Sequence, residues 1–126
     1  MTGKRDQLRF FIVEDIALIA LDISRRIEGL GHIVVGTAEY ADAALQGILE
    51  TLPDCVLIDI MLKGEVNGIW VAEEINRVSP RPFAYVTAYS EQGIMEDAKR
   101  TKPIAYLVKP IRDNDLRRVI GLLLSE

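Results

Sequence analysis

Cys55-Val56-Leu57-Ile58-Asp59 is an apolar run that ends on a carboxylate. Pro53-Asp54 precedes it, and Ile60-Met61-Leu62 leads on to Lys63-Gly64. A short continuous apolar run between turn residues reads as a strand buried on both faces, as in a parallel sheet. The flanking sequence supports this. Residues 41–52 and 67–78 read as helices, the second stopped by Ser79-Pro80-Arg81-Pro82. Beyond them, 8–13 (LRFFIV), 32–37 (HIVVGT), 83–87 (FAYVT) and 104–108 (IAYLV) read as four more strands. Residues 16–30 carry apolar side chains at 16, 19, 20, 23, 27 and 30, with Asp22, Arg25, Arg26 and Glu28 between them, which is helical spacing. Helices are also expected over 91–101 and 113–124. Strands that alternate with helices build βαβ units with right-handed crossovers, so helices cover both faces of a parallel sheet.

The chain has 126 residues, enough for one domain, 1–126, with its core at about 8–124. Hydrophobic residues make up 49% and charged residues 27%, an ordinary globular balance that argues against disorder. Fifteen Lys and Arg face 19 Asp and Glu, for a net charge of −4. So acidic a small domain is a poor candidate for direct binding of nucleic acid. One cysteine forms no internal disulfide, and no apolar run approaches the ~20 residues that span a bilayer. The polar opening Met1-Thr2-Gly3-Lys4-Arg5-Asp6-Gln7 has no signal-peptide core. The expected location is cytoplasmic, without membrane contact.

Parallel α/β sheets bind ligands beyond the carboxyl ends of their strands, at the switch in strand order. Glu14 and Asp15 follow strand one, Asp59 ends strand three, Thr87 ends strand four and Lys109-Pro110 follows strand five. Carboxylates brought together repel one another unless a cation intervenes. An oxygen-only donor set of this kind suits Mg²⁺, which takes few carboxylates and bridges to phosphate oxygens. Lys109 adds a point charge suited to phosphate, and Thr87 a hydroxyl donor. A carboxylate can also accept a phosphoryl group as nucleophile, and Asp59, on the central strand, is the candidate.

With these residues in view, the sequence resembles the response-regulator receiver domains of two-component signalling. The resemblance rests on FIVED (11–15), VLIDIML (56–62), NG (67–68), YVTAY (85–89) and YLVKP (106–110), in family order and spacing. It implies a flavodoxin-like, doubly wound five-stranded sheet of order 2-1-3-4-5. It implies Asp59 as phospho-acceptor, with Mg²⁺ held by Glu14, Asp15, Asp59 and the backbone carbonyl of Met61. Thr87 and Lys109 would bind the phosphoryl oxygens, Tyr106 would change rotamer on activation, and the Lys109–Pro110 bond would be cis. The implied donor is a histidine kinase or phosphotransfer protein. The implied output is a downstream protein target or output domain, with phosphorylation-dependent dimerisation one form it can take. The domain would catalyse only its own phosphorylation and dephosphorylation, as a switch and not a metabolic enzyme. A departure from the commonest pattern lies in Leu62-Lys63-Gly64-Glu65-Val66-Asn67-Gly68. Many receivers carry a proline after the hydrophobic residue there and a loop one residue shorter. Met61 and Tyr89 stand where the family tunes dephosphorylation, and their bulk is expected to limit water access.

Other residues read more plainly. Cys55 is expected to be a buried, inert thiol. A lone His32 is expected in a surface or turn role. Trp70 lies off the Val71, Ile75 and Val78 stripe, packing partly under the 62–68 loop or touching a partner. Lys99, Arg100, Lys102, Lys109, Arg112, Arg117 and Arg118 outnumber Asp113 and Asp115 in the segment that the family uses as its output surface. Three other assignments compete with the free-standing receiver. One is a receiver fragment of a larger hybrid kinase or regulator, and another a constitutive interaction domain. The last is a flavodoxin-like cofactor-binding module, which would need a phosphate loop where Glu14-Asp15 stands.

Overall fold

Five strands alternate with five helices. In chain order they are β1 (Arg9–Val13), α1 (Ala17–Gly29), β2 (Ile33–Ala38), α2 (Ala41–Thr51), β3 (Cys55–Asp59), α3 (Gly68–Val78), β4 (Phe83–Thr87), α4 (Gln92–Arg100), β5 (Ala105–Val108) and α5 (Asp113–Leu124). The structure, a computed structural model, describes residues 7–88 and 92–125. Every strand pair is parallel, and the order is β2-β1-β3-β4-β5. The fold is therefore the flavodoxin-like one that the resemblance implied. All five residues of β3 and of β4 are buried, as the unbroken apolar run of β3 requires.

Alternating side chains of the sheet feed two apolar layers. Phe10, Ile12, Leu57, Val86 and Leu107 meet Ile23 and Ile27 of α1 and Leu116 and Val119 of α5. Phe11, Val13, Val56, Ile58 and Tyr85 meet Ile48 of α2, Val71 and Ile75 of α3 and Ala98 of α4. Each Leu, Ile or Phe so buried contributes roughly 1.5–3 kcal/mol, most of it offset by the ordering of the chain. Phe11 lies in a slot between β2 and α2. A Cβ on Gly36 would come 2.6 Å from its ring, and one on Gly47 would come 2.7 Å from it.

Element ends shift by a residue for identifiable reasons. Leu8 stays outside β1 because its N–H goes to His32 Nδ1, 2.9 Å away, and not to the ladder. Ile16 is extended (φ −100°, ψ 111°) and caps α1 without joining it. His32 departs from its expected role in one respect. It does sit in the turn between α1 and β2, but it is buried, holding Leu8 and meeting Phe10 edge-on at 6.4 Å. Cys55 is fully buried, as expected. Among the described residues, no helix is long and apolar enough to cross a membrane.

Candidate functional site

The order switches between β1 and β3, and the polar ends of these two strands adjoin one another there. Glu14, Asp15 and Asp59 each place a carboxylate oxygen within 4.8 Å of the others. Glu14 and Asp59 are buried, while Asp15 is half-buried. Lys109 reaches in from the end of β5. Its Nζ stands 2.8 Å from Asp59 Oδ2 as a hydrogen-bonded ion pair. It stands 2.8 Å from Glu14 Oε1 as well, as an ion pair outside hydrogen-bond alignment. The Lys109–Pro110 bond is cis, and Lys109 N–H donates to the Thr87 carbonyl at 2.8 Å.

Backbone amides hold the carboxylates. Ile16 N–H donates to Glu14 Oε2 at 3.0 Å, and Met61 N–H donates to Asp59 Oδ1 at 3.1 Å. Lys63 N–H donates to Asp15 Oδ2 at 2.8 Å. The loop from Leu62 to Gly68 closes over this side. Leu62 and Glu65 exchange backbone hydrogen bonds of 2.9 and 3.1 Å, so Lys63 and Gly64 form the tip of a two-residue hairpin. At the far end, Gly68 N–H donates to the Ile60 carbonyl at 2.9 Å. A Cβ at Gly68 would lie 2.1 Å from the Asp59 carbonyl oxygen. The absence of that atom is what lets α3 start against the end of β3.

Thr87 is buried at the end of β4 and pairs in register with Val108, while Val86 before it pairs with Asp59. Tyr106 turns its hydroxyl into the protein. Its ring stacks on Tyr85 with centroids 6.0 Å apart and an interplanar angle of 25°. The Tyr106 hydroxyl is buried and has no hydrogen-bond partner among the described residues. Tyr85 hydroxyl in turn lies 2.6 Å from Thr101 Oγ1. Tyr89, paired with Met61 in the expectation about water access, lies outside the described residues. Trp70 is 40% exposed and lines a groove with Val66, Glu73, Asp97 and Arg100.

Burial pushes Glu14 up to about 7, against the lowering effect of Lys109 and the Ile16 N–H. Burial acts to raise Asp15 too, but the Lys63 N–H and its neighbours outweigh it and hold Asp15 below the usual carboxylate range. Burial acts to lower the Lys109 ammonium. Its contacts with Asp59 and Glu14 win, leaving it above the usual lysine range. One lysine against three clustered carboxylates leaves an excess of negative charge. Together with the all-oxygen donor set, this fits a hard divalent cation such as Mg²⁺.

The structure therefore brings Glu14, Asp15, Asp59 and Lys109 into one site. It places Thr87 and Met61 on its edges and Tyr106 one strand away. Sequence reasoning missed Lys63, Gly68 as a close-approach residue, and an apolar groove beside Lys109 lined by Leu18, Ile19, Ile23, Pro110 and Ile111. The motif Asn67-Gly68 was the only trace of the second.

Comparison with known proteins agrees with this geometry. The family model for the response regulator receiver domain matches residues 10–121. The transcriptional regulatory protein PdtaR of Mycobacterium tuberculosis is 33% identical over 117 residues, covering 93% of this chain and 57% of its own length. The phyllosphere-induced regulator PhyR of Methylorubrum extorquens is 31% identical over 111 residues, covering 87% of this chain and 41% of its own. The chain thus spans about half the length of these relatives. The signal receiver domain of a modulated diguanylate cyclase from Desulfovibrio desulfuricans superposes with a TM-score of 0.87, at 30% identity and 94% coverage of both chains.

Proposed function

The chain belongs to the response regulator receiver domain family, and on that premise we propose that it accepts a phosphoryl group on Asp59 from a phosphohistidine. One observation carries the reading. Lys109 Nζ stands 2.8 Å from both Glu14 and Asp59, inside a triad of carboxylates whose oxygens lie within 4.8 Å.

In the transfer, an Asp59 carboxylate oxygen forms a bond to phosphorus as the N–P bond of the phosphohistidine breaks. The electron pair returns to the imidazole nitrogen, which takes a proton from solvent. The Met61 N–H fixes one Asp59 oxygen and Lys109 the other, so the nucleophile is oriented before the donor arrives. Lys109 then supplies positive charge, and the Thr87 hydroxyl a hydrogen bond, to the transferring phosphoryl oxygens. Mg²⁺, held by Glu14, Asp15, Asp59 and the Met61 carbonyl, would neutralise charge on those oxygens. Tyr106 is the reporting residue. Its buried hydroxyl has no hydrogen-bond partner among the described residues, a costly position from which a shift at Thr87 would draw it to a second one.

The donor, a histidine kinase or phosphotransfer protein, docks beside Lys109. There Leu18 is 77% exposed and forms an apolar groove with Ile19, Ile23, Pro110 and Ile111. The output is read by another protein or an output domain at the face of α4, β5 and α5, where Arg100, Arg112, Arg117 and Arg118 are exposed. The protein acts in the cytoplasm as a switch, binding neither nucleic acid nor membrane itself.

Incubation with acetyl phosphate and MgCl₂, followed by intact-mass measurement, tests this. One phosphoryl group should add to the wild type and none to Asp59→Ala. No adduct on the wild type, or one that survives Asp59→Ala, would sink the reading.

A further inference from the structure

Lys63 is held in a conformation that side chains avoid. Its φ is +54° and that of Gly64 is +80°. Successive positive φ values in a two-residue loop mark the hairpin turn for which Asn-Gly is the usual sequence, and a lysine enters it against its own preference. Contacts on both sides keep it there. The backbone N–H donates to Asp15 Oδ2 at 2.8 Å. The side chain crosses to the segment between β2 and α2, where Nζ lies 3.2 Å from Glu39 Oε1 and 5.0 Å from the centroid of the Tyr40 ring. Lys63 thus straps the loop after β3 to the segment after β2, with Asp15 beneath the strap.

We propose that Lys63 is a positioning residue for Asp15: its side chain, anchored on Glu39 and Tyr40, holds the turn so that its N–H fixes the Asp15 carboxylate within the acidic triad. This rests on reading Glu14, Asp15 and Asp59 as a divalent-cation site. It also gives the longer loop a purpose. A proline, which many receivers carry at this point, has no N–H to donate. Lysine in its place turns a position without a donor into one that orients a ligand. Lys63 touches no phosphoryl oxygen in this scheme, so it governs cation affinity and not the transfer itself.

The test separates those quantities. The protein is titrated with MgCl₂ by calorimetry, and its phosphorylation by acetyl phosphate is followed across a range of MgCl₂ concentrations. Lys63→Met keeps the long side chain and its aversion to positive φ but removes the charged strap. It should raise the Mg²⁺ Kd about threefold to tenfold, the combined worth of an exposed ion pair and a cation–π contact. The Mg²⁺ concentration for half-maximal phosphorylation should rise in step, with the maximal rate unchanged. Glu39→Gln should give part of the loss, and Lys63→Arg should restore wild-type affinity. Wild-type Mg²⁺ affinity in Lys63→Met overturns the proposal, as does a fall in maximal rate at unchanged Mg²⁺ dependence. A wild-type protein that binds Mg²⁺ yet takes no phosphoryl group refutes the phosphoacceptor reading alone, because calorimetry still decides the strap.

Discussion

Replacing Gly68 with alanine adds one methyl group where two backbones meet. The new Cβ would lie 2.1 Å from the Asp59 carbonyl oxygen and 2.8 Å from Ile60 Cα, whereas ordinary contact begins near 3.4 Å. Neither neighbour is a side-chain end that can swing aside. The start of α3 and the end of β3 must therefore part by more than about 1 Å, and the Gly68 N–H bond to Ile60 stretches with them. Overpacking of this kind costs typically about 1–3 kcal/mol of stability. The larger effect falls on the site, because the residue displaced is Asp59. A misplacement of about 1 Å at a reacting group costs on the order of 100-fold in rate. Phosphorylation by acetyl phosphate, timed by intact mass, should slow by about that factor in Gly68→Ala, and urea unfolding should show the stability loss. Gly121→Ala is the control. It lies within α5 with nothing within 4 Å of its added Cβ, and it should stabilise by about 0.5–1 kcal/mol at an unchanged rate. A Gly68→Ala protein that matched the wild type in rate and stability would refute the close-approach argument.

Three other outcomes follow from the same geometry. Lys109→Met should slow phosphorylation by about 100- to 1000-fold, as loss of a positioned charge donor does, and near-wild-type rates would remove Lys109 from the mechanism. Leu18→Asp should weaken phosphotransfer from a histidine-phosphorylated donor protein at least about tenfold, while leaving the acetyl phosphate rate unchanged. Equal effects on the two reactions would rule out docking at that groove. Burial raises Tyr85 to about 12 from an unfolded value near 10. Its neutral form thus supports the fold fully below pH 10, and that support is lost as pH climbs towards 12. Tyr85→Phe should flatten the decline in urea midpoint over that range, and an unaltered slope would show that Tyr85 ionises freely.

Glu14, Asp59, Thr87 and Lys109 are legible in the sequence because each closes or follows an apolar run, and strand ends in a parallel sheet converge. The topology is legible because βαβ alternation leaves few arrangements open. What escapes notice depends on distances between segments far apart in sequence. Nothing in Asn67-Gly68 reveals a carbonyl 2.1 Å from where a Cβ would stand. Nothing in Phe11, Gly36 and Gly47 reveals a shared slot, since their proximity exists only once β2 and α2 have packed. Lys63 hides for another reason. Lysine favours neither positive φ nor metal sites, so its part is played by a backbone N–H that every residue but proline possesses. His32 misleads in the same way, because an imidazole can satisfy a single backbone amide in the interior.

The sheet divides the interior into two layers that share no buried residue. In the proposed cycle, α1 and the groove beside Lys109 face the donor from one side of that partition. Tyr106 and α4 report from the other, since both pack on the opposite layer. The α4 part of the reader's face is therefore separate ground from the donor's, whereas α5 packs beside α1 in the donor's own layer through Leu116 and Val119. Under that proposal, substitutions on α1 that retune the donor would leave α4 untouched, while those near Arg26 would reach α5 through its ion pair with Asp113. The partition would thus let one half of the output face drift free of the input, and tie the other half to it.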